Sequence, residues 1–230
     1  LKIKIKLTFL GGTMKGDRLK ANVLAVRLIP NVDRDMAKEL ELPDEHRSIG
    51  IITADCDDVT YTALDEATKK AVVDVAYGKS FYGGAANANT KLAGEVIGIL
   101  SGPTPAEVKS GLAATVDFIE NEAAFISAND DDSIAYYAHC ISRTGTYLSK
   151  IAGIEEGESL AYLIAPPLEA TYALDVALKA ADVRLVAFYG PPSETNFGGG
   201  LLTGSQSACK AACDAFAEAV KSVADNPLTY

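Results

Sequence analysis

Apolar and polar positions along the chain fall into a pattern that is written twice. An unbroken apolar run, Ile49 to Ala54, predicts a buried strand, and a second such run follows from Leu160 to Ala165. After each comes an acidic turn, Asp57-Asp58 in the first copy and Glu169 in the second, with Glu169 read as the counterpart of Asp58. Each turn leads into a helix. The two helical stretches are nearly the same sentence, "TYTALDEATKKA" from Thr60 and "TYALDVALKA" from Thr171, and Leu174, Ala177 and Leu178 mark the apolar face of the second. The next strand reads "VVDVAYG" in one copy and "VRLVAFYG" in the other. A glycine-rich loop closes each unit, "GGAANANTKLAGEV" and "PPSETNFGGGLLTG", and a further strand runs into a long helix. Thr104 and Ser205 are the expected N-caps of those helices, and Pro105 suits a first helical turn. A fainter match upstream sets "MAKELEL" from Met36 against "LSKIAGI" from Leu148.

Self-similarity at this spacing, about one small domain, predicts two tandem α+β units with strands and helices mixed in each. The polar cluster "ISANDDDS", Ile126 to Ser133, marks the division, giving units over 14–125 and 126–230. The opening "LKIKIKLTFLGGT", residues 1–13, does not fit either copy. Its apolar part is too short for a secretory signal and no small-residue cleavage site follows. It is read as a non-native or disordered leader, either untranslated sequence read in frame or a scar, and the intact mass of the protein made from its own gene tests that reading.

Composition narrows the partners. With 48% hydrophobic residues the chain buries a core of ordinary size. Its formal charge of −10 and the lack of a dominant basic patch argue against nucleic acid or an anionic membrane. No apolar run approaches the ~20 residues that cross a bilayer. Cys56, Cys140, Cys209 and Cys213 form no CxxC pair and read as buried free thiols, the last two on one helix face. With His46 and His139 the only histidines, no metal site is expected. No nucleophile elbow, P-loop or HExxH motif is present, and no third partner joins His139 and Ser142, so no enzyme and no cofactor is expected.

Several residues nevertheless carry chemistry. Asp57 and Asp58 read either as a solvated turn that caps a helix or as a site for a small cation. Glu169 can cap its own helix or face the same ligand. Glu95 interrupts an apolar run, and a carboxylate there needs a partner or water. Phe125 is either core or the aromatic wall of an ammonium site. His139 is either a structural histidine or a ligand contact. The loop "SETNF" offers Thr195, Asn196 and Phe197, as turn chemistry or as donors to a ligand hydroxyl. The loop from Gly78 to Lys91 sets Phe81 and Tyr82 beside Gly83 and Gly84, and those glycines permit movement.

The second copy, "ALDVALKAADVRLVAFYG" followed by "GSQSACKAACDAFAEAV", resembles the bacterial microcompartment shell domain. Together "SIGIITADCDDVTYTALDEATK", "SRTGTYLS", "APPLEATYALD", "PPSETNF" and "LLTGSQSACKAAC" resemble the ethanolamine-utilisation shell protein L family, over Lys20 to Leu228. The resemblance implies two circularly permuted shell domains, each a small antiparallel sheet flanked by helices. It also implies a homotrimer that imitates a hexamer, tiling the facets of a cytoplasmic polyhedral shell beside other shell proteins. It implies a gated central pore occluded by the loop with Phe81, Tyr82, Gly83 and Gly84. Finally it implies ethanolamine bound in each subunit, with Asp57, Asp58, Glu95, Phe125, His139, Glu169, Thr195, Asn196 and Phe197 as the candidate contacts. A different class of function, a soluble metabolite-sensing regulator that binds a small amine, would stay a discrete oligomer where a tile forms sheets.

Overall fold

A computed structural model describes residues 13–81, 90–191, 193 and 195–229. The predicted strands form as β3, Ser48–Ala54, and β8, Ser159–Ala165, and each sits in the middle of an antiparallel sheet. In the first half β3 lies between β2, Val23–Ile29, and β5, Val96–Gly102, with β4, Asp74–Ser80, beyond β5. In the second half β8 lies between β7, Ala135–Ile141, and β10, Gly198–Gly204, with β9, Val183–Tyr189, beyond β10. The strand orders β2-β3-β5-β4 and β7-β8-β10-β9 are therefore the same. Even the irregularity repeats: β4 bulges between Val75 and Tyr77, and β9 between Leu185 and Ala187.

Helices repeat likewise. Short helices α1, Arg34–Glu39, and α4, Thr146–Ala152, join the first two strands of each sheet. Then come α2, Asp57–Lys70, and α5, Pro167–Ala180. Last are α3, Pro105–Asp117, which runs on into a π-helical turn over Phe118–Glu122, and α6, Gln206–Asp225. Thr104 and Ser205 cap α3 and α6 as expected, their hydroxyls accepting from the amides of Glu107 and Ala208 at 3.3 and 3.2 Å. Cys209 and Cys213 are both buried on one face of α6. No helix among the described residues is long and apolar enough to cross a membrane.

The two halves are not beads on a string. Beneath α5 and α6, one face of the second sheet packs a core that includes Leu163, Leu202 and Phe216. Its other face, with Tyr137, Leu160, Tyr162 and Leu201, shares a single core with Ile52, Leu64, Leu100 and Leu112 of the first half. Helix α2 thus serves both halves. Its carboxylate Asp65, fully buried, accepts from the amides of Gly145 at 2.7 Å and Leu148 at 2.8 Å, and so caps α4 of the other half. The expected division at 125/126 falls inside a short strand, β6, Phe125–Ser127. β6 pairs with β7 on one side and on the other with β1, Arg18–Leu19, so the start of the described chain is joined to the second sheet. Around it Lys15 pairs with Asp225 at 2.6 Å and Thr13 bonds Asp132.

Candidate functional site

Strand β3 ends at Ala54 and α2 begins three residues later, so Asp55, Cys56, Asp57 and Asp58 pass over the seam between the two sheets. The turn is fixed from below. Asp55 accepts from the backbone amide of Asn22 at 2.6 Å and from its side-chain amide at 2.7 Å. Gly94 supplies a left-handed turn, φ +65°, where a Cβ would stand 2.0 Å from the Ala54 carbonyl oxygen. That tight approach lets the Glu95 amide donate to Ala54 O at 2.9 Å and brings the Glu95 side chain beside the aspartates.

Asp55, Cys56, Asp57, Asp58 and Glu95 line a cavity of about 280 Å³ together with Lys20, Phe125, Thr195 and Phe197. Phe125 and Phe197 meet edge to face, ring centres 5.8 Å apart, and Phe125 stacks on the buried Tyr137 at 5.4 Å. The cavity therefore has an acidic floor and an aromatic wall. Asp57 and Asp58 are only 8% and 7% exposed, although both stand in the first turn of a helix where solvated carboxylates are common. Burial, and then the charge of Asp57, push the Asp58 carboxyl well above the usual carboxylate range. The Tyr162 hydroxyl works against that, donating to Asp58 Oδ1 at 2.8 Å. Glu95 is raised by burial and then by Asp57 and Asp55. Burial and then Asp58 push the Cys56 thiol up, which keeps it unreactive. An ammonium fits the floor, a hydroxyl fits Thr195, and the carbons between them fit the phenyl rings.

The aspartates also border a second cavity of about 450 Å³, lined by Tyr61, Tyr147, Tyr162 and Tyr189 among others. Asp57 and Asp58 are thus a wall common to two spaces.

Of the residues singled out from the sequence, Asp57, Asp58, Glu95, Phe125, Thr195 and Phe197 come together in the 280 Å³ cavity. Asn196 lies between Thr195 and Phe197 with a left-handed backbone, φ 66°, and its amide donates to Ser193 O at 3.1 Å. His139 lines a different cavity, about 570 Å³, between α2, α3 and β7. There it stacks on Tyr137 and meets the edge of Phe118, and burial, then Lys69 and Arg18, lower its pKa to about 4. Glu169 stands in the first turn of α5, outside these linings. Because α2 starts at Asp57 and α5 at Pro167, the counterpart of Asp58 is Leu168, and Glu169 is one position off the expected match. Phe81 follows β4, its amide donating to Glu95 O at 3.0 Å, while Tyr82, Gly83 and Gly84 lie outside the described residues. Sequence reasoning missed Lys20 and Asp55 as lining residues; the latter sat in the quoted "ADCDD" and was passed over for its neighbours.

Comparison with known proteins gives a consistent picture. The family model described as the BMC domain matches residues 48–129. The chain is 71% identical to the bacterial microcompartment shell protein EutL of Clostridium perfringens, over 94% of this chain and all of that one. It is 56% identical to EutL of Escherichia coli K12, over 92% of this chain and 97% of the other. The crystal structure of ethanolamine utilization protein EutL from Leptotrichia buccalis superposes with a TM-score of 0.92, at 95% identity, covering 94% of this chain and 100% of that one.

Proposed function

The chain belongs to the EutL family of bacterial microcompartment shell proteins, and from that premise we propose that it is a trimeric facet tile with a gated central pore, binding ethanolamine in the acidic cavity of each copy. The shell role comes with the family; the trimer, the gate and the ligand are the proposal.

One observation carries the ligand: four carboxylates, Asp55, Asp57, Asp58 and Glu95, share one small cavity with two phenyl rings and a threonine. Ethanolamine is a short chain with an ammonium at one end and a hydroxyl at the other. Its ammonium would sit against Asp57 and Glu95, its carbons along Phe125, and its hydroxyl near Thr195. The trimer rests on the internal repeat, since a chain holding two like units replaces two members of a six-membered ring. The pore reading rests on the family and concerns the chain beyond Phe81, where Tyr82, Gly83 and Gly84 lie outside the described residues.

Calorimetric titration with ethanolamine tests the ligand. A charge-assisted hydrogen bond is worth about 1.5–3 kcal/mol, so Asp57→Asn should weaken binding about tenfold to a hundredfold. Thr195→Ala should cost less, because its bond is neutral. Equal affinity of the wild type and both variants would place ethanolamine elsewhere.

A further inference from the structure

We infer that the cavity of about 450 Å³ on the far side of Asp57 and Asp58 is a second ligand site, an aromatic cage for a quaternary ammonium cation built by Tyr61, Tyr147, Tyr162 and Tyr189. It is separate from the acidic cavity assigned above to ethanolamine and shares with it only the wall of two aspartates.

Four elements bring the rings together. Tyr61 comes from the second turn of α2, Tyr147 from the first turn of α4, Tyr162 from the middle of β8 and Tyr189 from the end of β9. Tyr61 and Tyr147 have ring centres 6.3 Å apart and planes 49° apart; Tyr162 and Tyr189 are also 6.3 Å apart, at 39°. Rings tilted in this way make corners rather than stacks and do not cover one another's faces. The two corners open on one space, because the Tyr147 phenol interacts electrostatically with both Tyr61 and Tyr189, and Tyr189 with Asp58 and Tyr61. Two of the rings are held in place by specific contacts. Tyr162 donates to Asp58 Oδ1 at 2.8 Å. Tyr147 has room only because position 78 is glycine: a Cβ there would stand 2.5 Å from the phenol oxygen. Burial pushes the phenols of Tyr61 and Tyr189 up to about 12, so the rings stay neutral and keep their electron-rich faces.

The internal repeat serves as a control. Helix starts and strand register match Tyr61, Tyr147, Tyr162 and Tyr189 to Thr171, Asp35, Ile51 and Lys79. None of the four counterparts is aromatic, so these positions in a helix or strand do not by themselves call for tyrosine. The four aromatics occur together only where they converge on buried carboxyl groups.

The lining selects the cation. A primary ammonium carries three N–H donors and needs acceptors for them. Here the walls between the rings are apolar, Leu148, Ile151 and Ile164, and one oxygen of Asp58 is already taken by Tyr162. A quaternary ammonium has no N–H to satisfy. It gains from ring faces and from a negative charge nearby, which Asp57 supplies and which Asp58 feels. Lys79 is the only cation of the lining, and it is exposed.

Calorimetric titration of the full chain with choline tests this, beside the uncharged alcohol in which a tert-butyl group replaces the trimethylammonium. Tyrosine emission gives a second readout, unobscured because the chain has no tryptophan. Choline should bind and perturb the emission, and the alcohol should bind about tenfold more weakly or worse. Tyr189→Leu should weaken choline about fivefold to thirtyfold with the fold intact by circular dichroism. Tyr189→Phe keeps the ring and should bind as the wild type does. Tyr189 is not in the lining of the 280 Å³ cavity, so Tyr189→Leu should leave ethanolamine binding unchanged. No choline binding by the wild type, equal affinity for choline and the alcohol, or undiminished binding by Tyr189→Leu would each overturn the cage. So would choline binding that is lost in Thr195→Ala and kept in Tyr189→Leu, which would put choline in the smaller cavity. Failure of ethanolamine alone, with choline still bound through Tyr189, would sink the reading of the acidic cavity and leave the cage standing.

Discussion

Asp58 is a carboxyl group in the wrong surroundings for a charge, and the pH dependence of stability should show it. Burial and Asp57 raise its pKa in the folded chain above the ordinary value. The folded state then holds the proton more tightly than the unfolded state does. The associated stability is complete below the ordinary carboxylate range and is lost as pH rises through the folded value. Asp58→Asn keeps an acceptor for Tyr162 and removes the charge. The variant should therefore melt level with the wild type near about pH 4 and progressively above it toward about pH 8. Parallel melting curves across that range would mean that the charge is already compensated. At this scale much was legible beforehand. "ADCDD", "AGEV" and "SETNF" are short and rich in functional groups, and six residues drawn from them and Phe125 do share one cavity. What sequence could not supply was direction. Whether His139 on β7 faces the same cavity or the one beside α3 depends on which side of the sheet α2 covers, and that is decided by tertiary packing.

Among the elements, α2 carries a double duty that its periodicity hides. Its buried residues include Asp57, Asp58, Thr62 and Asp65 as well as Ala63, Leu64 and Ala67, so it is covered on more than one side. Read alone, those polar positions suggest the solvated face of an amphipathic helix. Asp58, Thr62 and Asp65 are polar because they bond to the other half. Asp65→Asn keeps one carbonyl oxygen where two carboxylate oxygens accept from Gly145 and Leu148, and should destabilise the chain by about 1–2 kcal/mol. Asp65→Ala loses both bonds and should cost more. Urea titration reads the difference, and a loss below about 0.5 kcal/mol for Asp65→Ala would show that α4 is held by packing alone. The strands were easier to read. β3 and β8 are apolar runs bounded by polar turns, and the structure returns them within one residue of expectation. β1 and β6 were not visible, because strands of two and three residues leave no periodic signal.

For the molecule as a whole, charge opposes what the exposed apolar surface favours. Copies of a chain with formal charge −10 repel one another. Salt shortens that repulsion, to a range of about 10 Å at 0.1 M, and leaves apolar contact intact. Association should strengthen as salt rises from about 0.05 to 0.3 M, read by light scattering; weakening over that range would show that ion pairs hold the copies together. The fused core has a longer consequence. A gene that doubles within one reading frame makes two like domains, each at first free to change alone. Once Tyr137 leans on Thr62 and Asp65 holds the end of α4, a change in either half is judged by its fit to the other. The two copies then inherit as a couple: neither can drift without its mate, and neither could be lost without stranding the other's buried face in water.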